Sequence, residues 1–516
     1  MRRLPLIIAL LLAVAAADPE GARWYKHLRF LASDEQEGRG TGTPGYDRSA
    51  RYVAREFERI GLQTIDQPIE YTLRRTDQAA SRIDIGGHAI VVGRDAFFSA
   101  RGGPNEDRHV DAPVVFAGYG LVMPELQYDD LEGLDVKGKL VAYMAGAPAS
   151  VRGPLESYYQ GERWEAFRAR GAAGAIAINN PQTLSSSWET TVLYGAEEGA
   201  VLADAKLREL SDRQVAIVLG PAVTPLLFEG SGHTLDEILK LDTAGERLPR
   251  FALNVKVKAD QILRMKSAKS SNVIGILRGS DPKLRGECVV VSAHLDHLGI
   301  GTPVNGDAIY NGALDNASGV ATLIELARDL KRGKPPQRSV VFVAFSGEEP
   351  GSLGSWAFVS HPPPAIGRIV ANLNIDGVSP FYPFRFFTGI GSEESTLGDD
   401  AAAVAAAREI RIAPDPAPAR GSYALSDQYS FALKGIPALL CRIGTLKGSP
   451  EGNLIRGIMA DVYHQPSDDL HLPFKPDEVT PFHRFMTALI RRVADDDEAP
   501  RWKEQSFYRR FVQAMR

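Results

Sequence analysis

At 516 residues the chain exceeds what one compact core ordinarily holds, so two domains are expected. Hydrophobic residues at 44% and charged residues at 24% are the ordinary balance of a soluble globular protein. The net charge of -5, with no basic run interleaved with aromatics, argues against nucleic acid or an acidic membrane surface as a partner.

Residues 1–17 carry the pattern of a signal peptide. Arg2 and Arg3 precede an apolar run from Leu4 to Ala17, and Ala15 and Ala17 stand three and one residues before a cut ahead of Asp18. The run is shorter than the ~20 residues needed to span a bilayer. No Cys near the cut supports a lipid anchor, and no later segment is long and apolar enough to span. The mature protein is expected to be soluble and exported, periplasmic or secreted.

Residues 18–75 group with the C-terminal half of the chain. Helix signals run from 23 to 62; in ARYVAREFERIGL, Tyr52, Val53, Phe57 and Ile60 recur at near-helical spacing and Gly61 supplies the stop. From 76 to 252 short β-rich runs such as PVVFAGYG and KLVAYMAG alternate with turn residues, without a carboxylate–His cluster. This stretch reads as a smaller inserted β-rich domain with no catalytic chemistry of its own. From 253 to 516 a strand–helix alternation begins. ECVVVSA, SVVFVAF, IVANLNI and PALLCRI are apolar runs of strand length, as expected for strands buried on both faces. Between them, SGVATLIELARDLKRG places Val320, Leu323, Ile324, Ala327 and Leu330 on one helical stripe, ended by Gly333. The alternation predicts a mostly parallel sheet with helices on both faces, its functional groups beyond the carboxyl ends of the strands. Cys288 and Cys441 form no CxxC pair and sit in strand-like stretches, where free Cys behaves as a small buried hydrophobe.

Ionisable residues recur after these strands. His294 and Asp296 follow ECVVVSA, Asp315-Asn316 opens the helix, Glu348-Glu349 follow SVVFVAF, and Asp376 follows IVANLNI. Tyr463-His464 comes later, in a loop of Pro, Ser and Asp. Each residue alone has a plain explanation: a helix cap, a solvated turn, a loop histidine. Capping does not explain why acids repeatedly follow buried strands at one sheet edge. Two His and three carboxylates suit zinc, with one carboxylate bridging a pair of ions. Asp296, two residues from His294, is placed to orient that imidazole. Of the adjacent glutamates, one can ligate metal while the other handles protons.

The segments AHLDHLG, YNGALDNASGVATLIELA, FVAFSGEEPGSLGSWAF, NLNIDGV, LSDQYSFALKGIPAL and VYHQPSDDL, in that order, resemble the secreted co-catalytic zinc aminopeptidases. VFAGYGLVMPELQYDDLEGLDVKGKLVAYMAG resembles the protease-associated domain that many of them insert. The resemblance implies an α/β/α sandwich around a mostly parallel mixed sheet. It further implies that His294 and Asp376 hold one zinc, Glu349 and His464 the other, and that Asp315 bridges them. Glu348 is then the general base, Tyr463 an oxyanion stabiliser or a packing residue, and Asp315-Asn316 a cis peptide. Gln428, where relatives often have His, and the longer stretch TLKGSPEGNLIRGIMAD are expected near the substrate pocket. The reaction implied is hydrolysis of an N-terminal peptide bond in peptides or small proteins. A carboxypeptidase or a glutaminyl cyclase on the same scaffold is the enzymatic rival, and a binding ectodomain that has lost catalysis is the other.

Overall fold

The computed structural model describes residues 19–99, 106–151, 153–181, 187–195, 198–207, 214–418 and 421–513. The expected leader of residues 1–17 lies outside the described residues. The four apolar runs form the strands Glu287–His294, Ser339–Phe345, Arg368–Ile375 and Ala438–Ile443. Their side chains alternate between two hydrophobic layers. Val289 and Val291 join Leu28, Phe57, Leu323 and Leu489 on one side, while Val290 joins Phe358 and Phe431 on the other. Burial on both faces is what lets a strand consist almost wholly of Val, Ile and Phe. Each such side chain contributes about 1.5–3 kcal/mol when fully buried.

These strands lie in a nine-stranded sheet. Its order is Gly199–Leu202, Gln63–Thr76, Leu263–Leu277, Ser339–Phe345, Glu287–His294, Arg368–Ile375, Ala438–Ile443, Phe386–Ile390, Arg411–Ile412. Pairings from Ser339–Phe345 across to Ala438–Ile443 are parallel. The strands flanking this centre pair antiparallel to it, so the sheet is mixed. Helices Pro19–Leu31, Pro44–Ile60, Ser318–Arg332 and Val479–Asp495 cover one face; Leu353–Ser360 and Gln428–Leu433 cover the other. The result is an α/β/α sandwich.

Local chemistry sets the helix ends. Pro44–Ile60 starts where the Thr43 hydroxyl accepts the Tyr46 N–H, and stops at Gly61, whose φ of 84° suits a residue without Cβ. In Ser318–Arg332 the predicted stripe Val320, Leu323, Ile324, Ala327 and Leu330 is completely buried. Truncating Leu323 to Ala would cost about 2–5 kcal/mol. Cys288 and Cys441 are free and buried, and burial pushes the Cys288 thiol up to about 12. No helix among the described residues is long and apolar enough to cross a membrane.

An eight-stranded sheet follows the order His88–Ile90, Arg82–Ile85, Arg250–Gln261, Arg108–Ala117, Leu140–Met144, Gly174–Ile178, Val215–Leu219, Ala96–Phe98. It has its own core, with Phe116, Leu140, Ile176 and Ile217. The expected junction at 252 falls inside the strand Arg250–Gln261, and the chain changes sheets at Ile262. The reason is local: RFALNVKVKADQ and the next strand are separated by one residue and no turn signal. Gly199–Leu202, from within the span 76–252, also crosses over and pairs with Tyr71–Arg74 at the edge of the nine-stranded sheet.

Candidate metal centre

Parallel strands end on the same side, so His294, Glu348-Glu349 and Asp376 are delivered to one edge of the nine-stranded sheet. Asp315 reaches the same place from the turn before Ser318–Arg332, and its peptide bond to Asn316 is cis. His464 follows the helix Pro450–Asp461 in a left-handed conformation, φ 58°. The five residues proposed from the sequence as metal ligands therefore come together from five separate segments.

Asp315 lies at the centre. Its Oδ1 is 3.1 Å from His294 Nε2 and its Oδ2 is 3.2 Å from His464 Nε2, one oxygen for each ring. Asp376 Oδ1 stands 3.5 Å from His294 Nε2, and Glu349 Oε2 stands 3.2 Å from His464 Nε2. One ligand atom each from His294, Asp315 and Glu349 falls within a mutual 4.8 Å. Burial opposes the charged form of His464, yet Glu349 and Asp315 raise it to about 10. Burial likewise opposes the Asp315 carboxylate, but His294 and His464 hold it well below its usual range. Carboxylate and imidazole donors facing one another in this number are the set that borderline divalent cations such as zinc select. The residues fit that metal.

Glu348 differs from its neighbour. It makes no ion pair among the described residues, and burial, with Glu349, Asp427 and Asp376 adding, pushes its carboxyl well above the ordinary range. Gly347 makes the turn possible: its φ is 72°, and a Cβ there would lie 2.9 Å from the Tyr71 hydroxyl. The Asp296 carboxylate holds the turn by accepting the backbone N–H groups of Glu348 and Glu349, at 3.1 and 3.3 Å, and the Thr41 hydroxyl at 2.9 Å. His294 Nδ1 meets the Asp296 main-chain carbonyl oxygen at 3.1 Å. Asp296 thus orients the imidazole through its backbone, while its side chain positions the glutamates.

Tyr463 stacks on His464, ring centroids 3.8 Å apart. Gln428 is fully buried, accepting from the Asn374 amide at 2.9 Å and donating to the Tyr423 carbonyl at 2.6 Å, so it braces the interior instead of facing a pocket. The stretch expected near the pocket forms the helix Pro450–Asp461.

Three residues not singled out in the sequence complete the centre. His297 Nδ1 is 2.6 Å from Glu349 Oε1, so it orients that carboxylate. Asp468 accepts the N–H groups of Leu314 and Asp315, at 2.7 and 3.0 Å, and burial lifts its carboxyl to about 6. Arg39, completely buried, donates to the carbonyls of Leu31, Leu295, Asn311 and Gly312 at 2.6–2.9 Å. It pins the loop after His294 to the loop before Asp315. AHLDHLG offered a signal for His297; nothing in the local sequence marks Arg39, whose partners are backbone carbonyls.

Two cavities flank the centre. The smaller, about 490 Å³, adjoins Glu348 and is closed by the helix Pro154–Ala169 of the inserted region. The larger, about 1130 Å³, adjoins His297, Glu349 and His464 and is walled by Phe97, Ser99 and Val218 of the eight-stranded sheet.

The model of peptidase family M28 matches residues 272–489, the segment holding all five converging residues. An aminopeptidase of Bacillus subtilis (strain 168), YwaD, is 26% identical over 359 residues, covering 68% of this chain and 62% of the relative. An aminopeptidase of Pseudomonas aeruginosa (strain UCBPP-PA14) is 25% identical over 374 residues, 72% of this chain and 60% of the relative. The chain thus spans about three fifths of these relatives' length. The aminopeptidase from Aneurinibacillus sp. strain AM-1 shares the fold, with a TM-score of 0.57 at 20% identity, over 94% of this chain and 95% of that one.

Proposed function

From the match of the peptidase family M28 model to residues 272–489, we propose that this chain is a zinc aminopeptidase of that family that removes single residues from peptides with free amino termini. The observation that carries the reading is the Asp315 carboxylate, with one oxygen toward His294 and the other toward His464. In the proposal, His294 and Asp376 would hold one ion and Glu349 and His464 the other, with Asp315 available to both. When bound, they polarise the scissile carbonyl and acidify a water.

The chain's own residues do the rest. Glu348 is buried beside the five residues but, among the described residues, forms no ion pair with His294 or His464, whose partners are Asp315, Asp376 and Glu349, which leaves its carboxylate available for a proton. It takes one from the attacking water and returns it to the leaving amine. Asp296 fixes the turn that aims it, and His297 fixes the Glu349 carboxylate. Acidic groups lining the centre attract the substrate's α-ammonium, which favours cleavage at the first residue. Intact ligand-type side chains at all five positions favour catalysis over a purely binding ectodomain. The two curated relatives named above are aminopeptidases, which supports the same activity here. The inserted region is read as protease-associated, and the pattern of residues 1–17 supports export, tested by finding Asp18 as the first residue of the mature protein.

The experiment is cleavage of an aminoacyl-amide panel with zinc supplied and then removed. Release from free amino termini, lost on chelation and on N-acetylation, is the expected result. Equal release from acetylated substrates would overturn the aminopeptidase reading.

A further inference from the structure

The larger cavity is bounded by the strand Gln63–Thr76, which runs from the metal centre toward the inserted sheet. Strand alternation points Tyr71, Leu73 and Arg75 to one side. Tyr71 marks the inner end, its hydroxyl donating to the Ser346 carbonyl at 3.3 Å, two residues before Glu348. Leu73 and Arg75 line the cavity together with Glu349 and His464. Four strand residues advance roughly 13 Å at about 3.3 Å each. Arg75 therefore stands well outside the centre but in the same compartment.

The other charges of this wall are paired. Lys266 Nζ is 3.2 Å from Glu198 and Glu37 is 2.8 Å from Arg48; outside the wall, Arg264, opposite Arg75 on the neighbouring strand, is 2.6 Å from Asp77. Arg75 is exposed and makes no ion pair or hydrogen bond among the described residues. A guanidinium offers a rigid fork of N–H donors matched to a carboxylate. The cavities also differ in size as an exopeptidase requires: the smaller, beside Glu348, suits one residue, and the larger suits the remainder.

Resting on the aminopeptidase reading, we infer that Arg75 binds a carboxylate on the leaving part of the substrate, so that short peptides with a free C-terminus are the preferred class. A leaving fragment of two to four residues, at about 3.3–3.6 Å each, brings its terminal carboxylate to the level of Arg75. An acidic side chain carries the same group at a different position.

The test compares free-acid and C-terminally amidated alanine peptides of two to six residues on zinc-loaded wild-type, R75K and R75Q proteins. In the wild type, KM is expected to favour the free acid about three- to fivefold at three to five residues, with kcat little changed, the size of an exposed charge pair. The preference should vanish in R75Q and partly return in R75K. A second, amidated series with Asp placed at successive positions separates the two carboxylate sources. A benefit confined to that series would overturn the short-peptide assignment. Equal KM for acid and amide at every length, or a preference that survives in R75Q, would overturn the role of Arg75. Equilibrium binding of the same peptides to zinc-free protein reads the same preference without turnover. If no peptide of either kind is cleaved, the aminopeptidase reading fails, and the binding data still decide on Arg75.

Discussion

Both sheets of the molecule have parallel strands at their centre. Glu287–His294, Ser339–Phe345 and Arg368–Ile375 run together in one, and Leu140–Met144, Gly174–Ile178 and Val215–Leu219 in the other. Past the strand ends they part company. The first sheet continues into Glu348-Glu349 and Asp376, with His294 as its own last residue; the second continues into Ala145-Gly146, Asn179-Asn180 and Gly220. Asp242, which meets one of these turns through Asn180, receives neutral donors: the Tyr119 hydroxyl at 2.7 Å and the Asn180 amide at 2.6 Å. Carboxylates at the first edge face histidines and one another instead. Topology supplies a place for chemistry at either edge, and only the residues decide whether it is used.

The sharpest way to break this comparison is to neutralise the two glutamates separately. E348Q is expected to keep stoichiometric zinc while turnover drops by about 10²- to 10⁴-fold. E349Q removes a proposed charged ligand, so bound zinc and rate should fall together. Metal analysis beside steady-state rates checks both, and zinc lost from E348Q would reverse the assignment.

Glu325 also sets a carboxylate beside a histidine, His27, outside the five converging residues. Burial opposes its charge, yet His27 at 3.3 Å, with Arg23 and Arg328, holds its carboxyl down to about 2. Because the folded value lies below the unfolded one of about 4.3, the stabilisation is complete above that pH and disappears as pH falls toward 2. E325Q should therefore be less stable by about 2–3 kcal/mol at pH 7, with the gap closing between about pH 4.5 and 2.5 in denaturant titrations. A gap independent of pH would show that packing, not charge, sets it.

His297 tests how far the centre extends beyond its ligands. H297A releases the Glu349 carboxylate, and zinc affinity should weaken about 10- to 100-fold, read by competition with a chelator. Unchanged affinity would place His297 outside the centre's function. The smallest effect is expected in the other sheet: D242A deprives Tyr119 and Asn180 of an acceptor and should cost about 1 kcal/mol of stability, with zinc content and rate unchanged. A loss of zinc in that variant would mean that the two edges are coupled.

The central strands were legible because burial on both faces leaves an unbroken apolar run, and the acids stood out because nothing in such a run calls for them. The change of sheet at Ile262 was illegible, since Arg250–Gln261 and Leu263–Leu277 follow one another without a turn residue. Gly199–Leu202 is four residues long and shows no period. Arg39 and Asp468 act on backbone groups far away in sequence, and a contact of that kind leaves no local pattern. Gln428 stands beside the smaller cavity, which its neighbours Tyr429 and Ser430 line, but that its own side chain turns inward could not be read from the sequence.

The crossing of Gly199–Leu202 onto Tyr71–Arg74 also caps an open flank of the nine-stranded sheet. Unpaired strand flanks invite other chains to add to them. A shortened protein cut only at the two sheet junctions would lose this cap, baring the backbone donors and acceptors of Tyr71–Arg74 to neighbouring molecules. Clumping of such a protein would say nothing about whether the inserted sheet is needed for activity. A truncation that keeps residues 199–202 tethered in place is the form in which that question can be put.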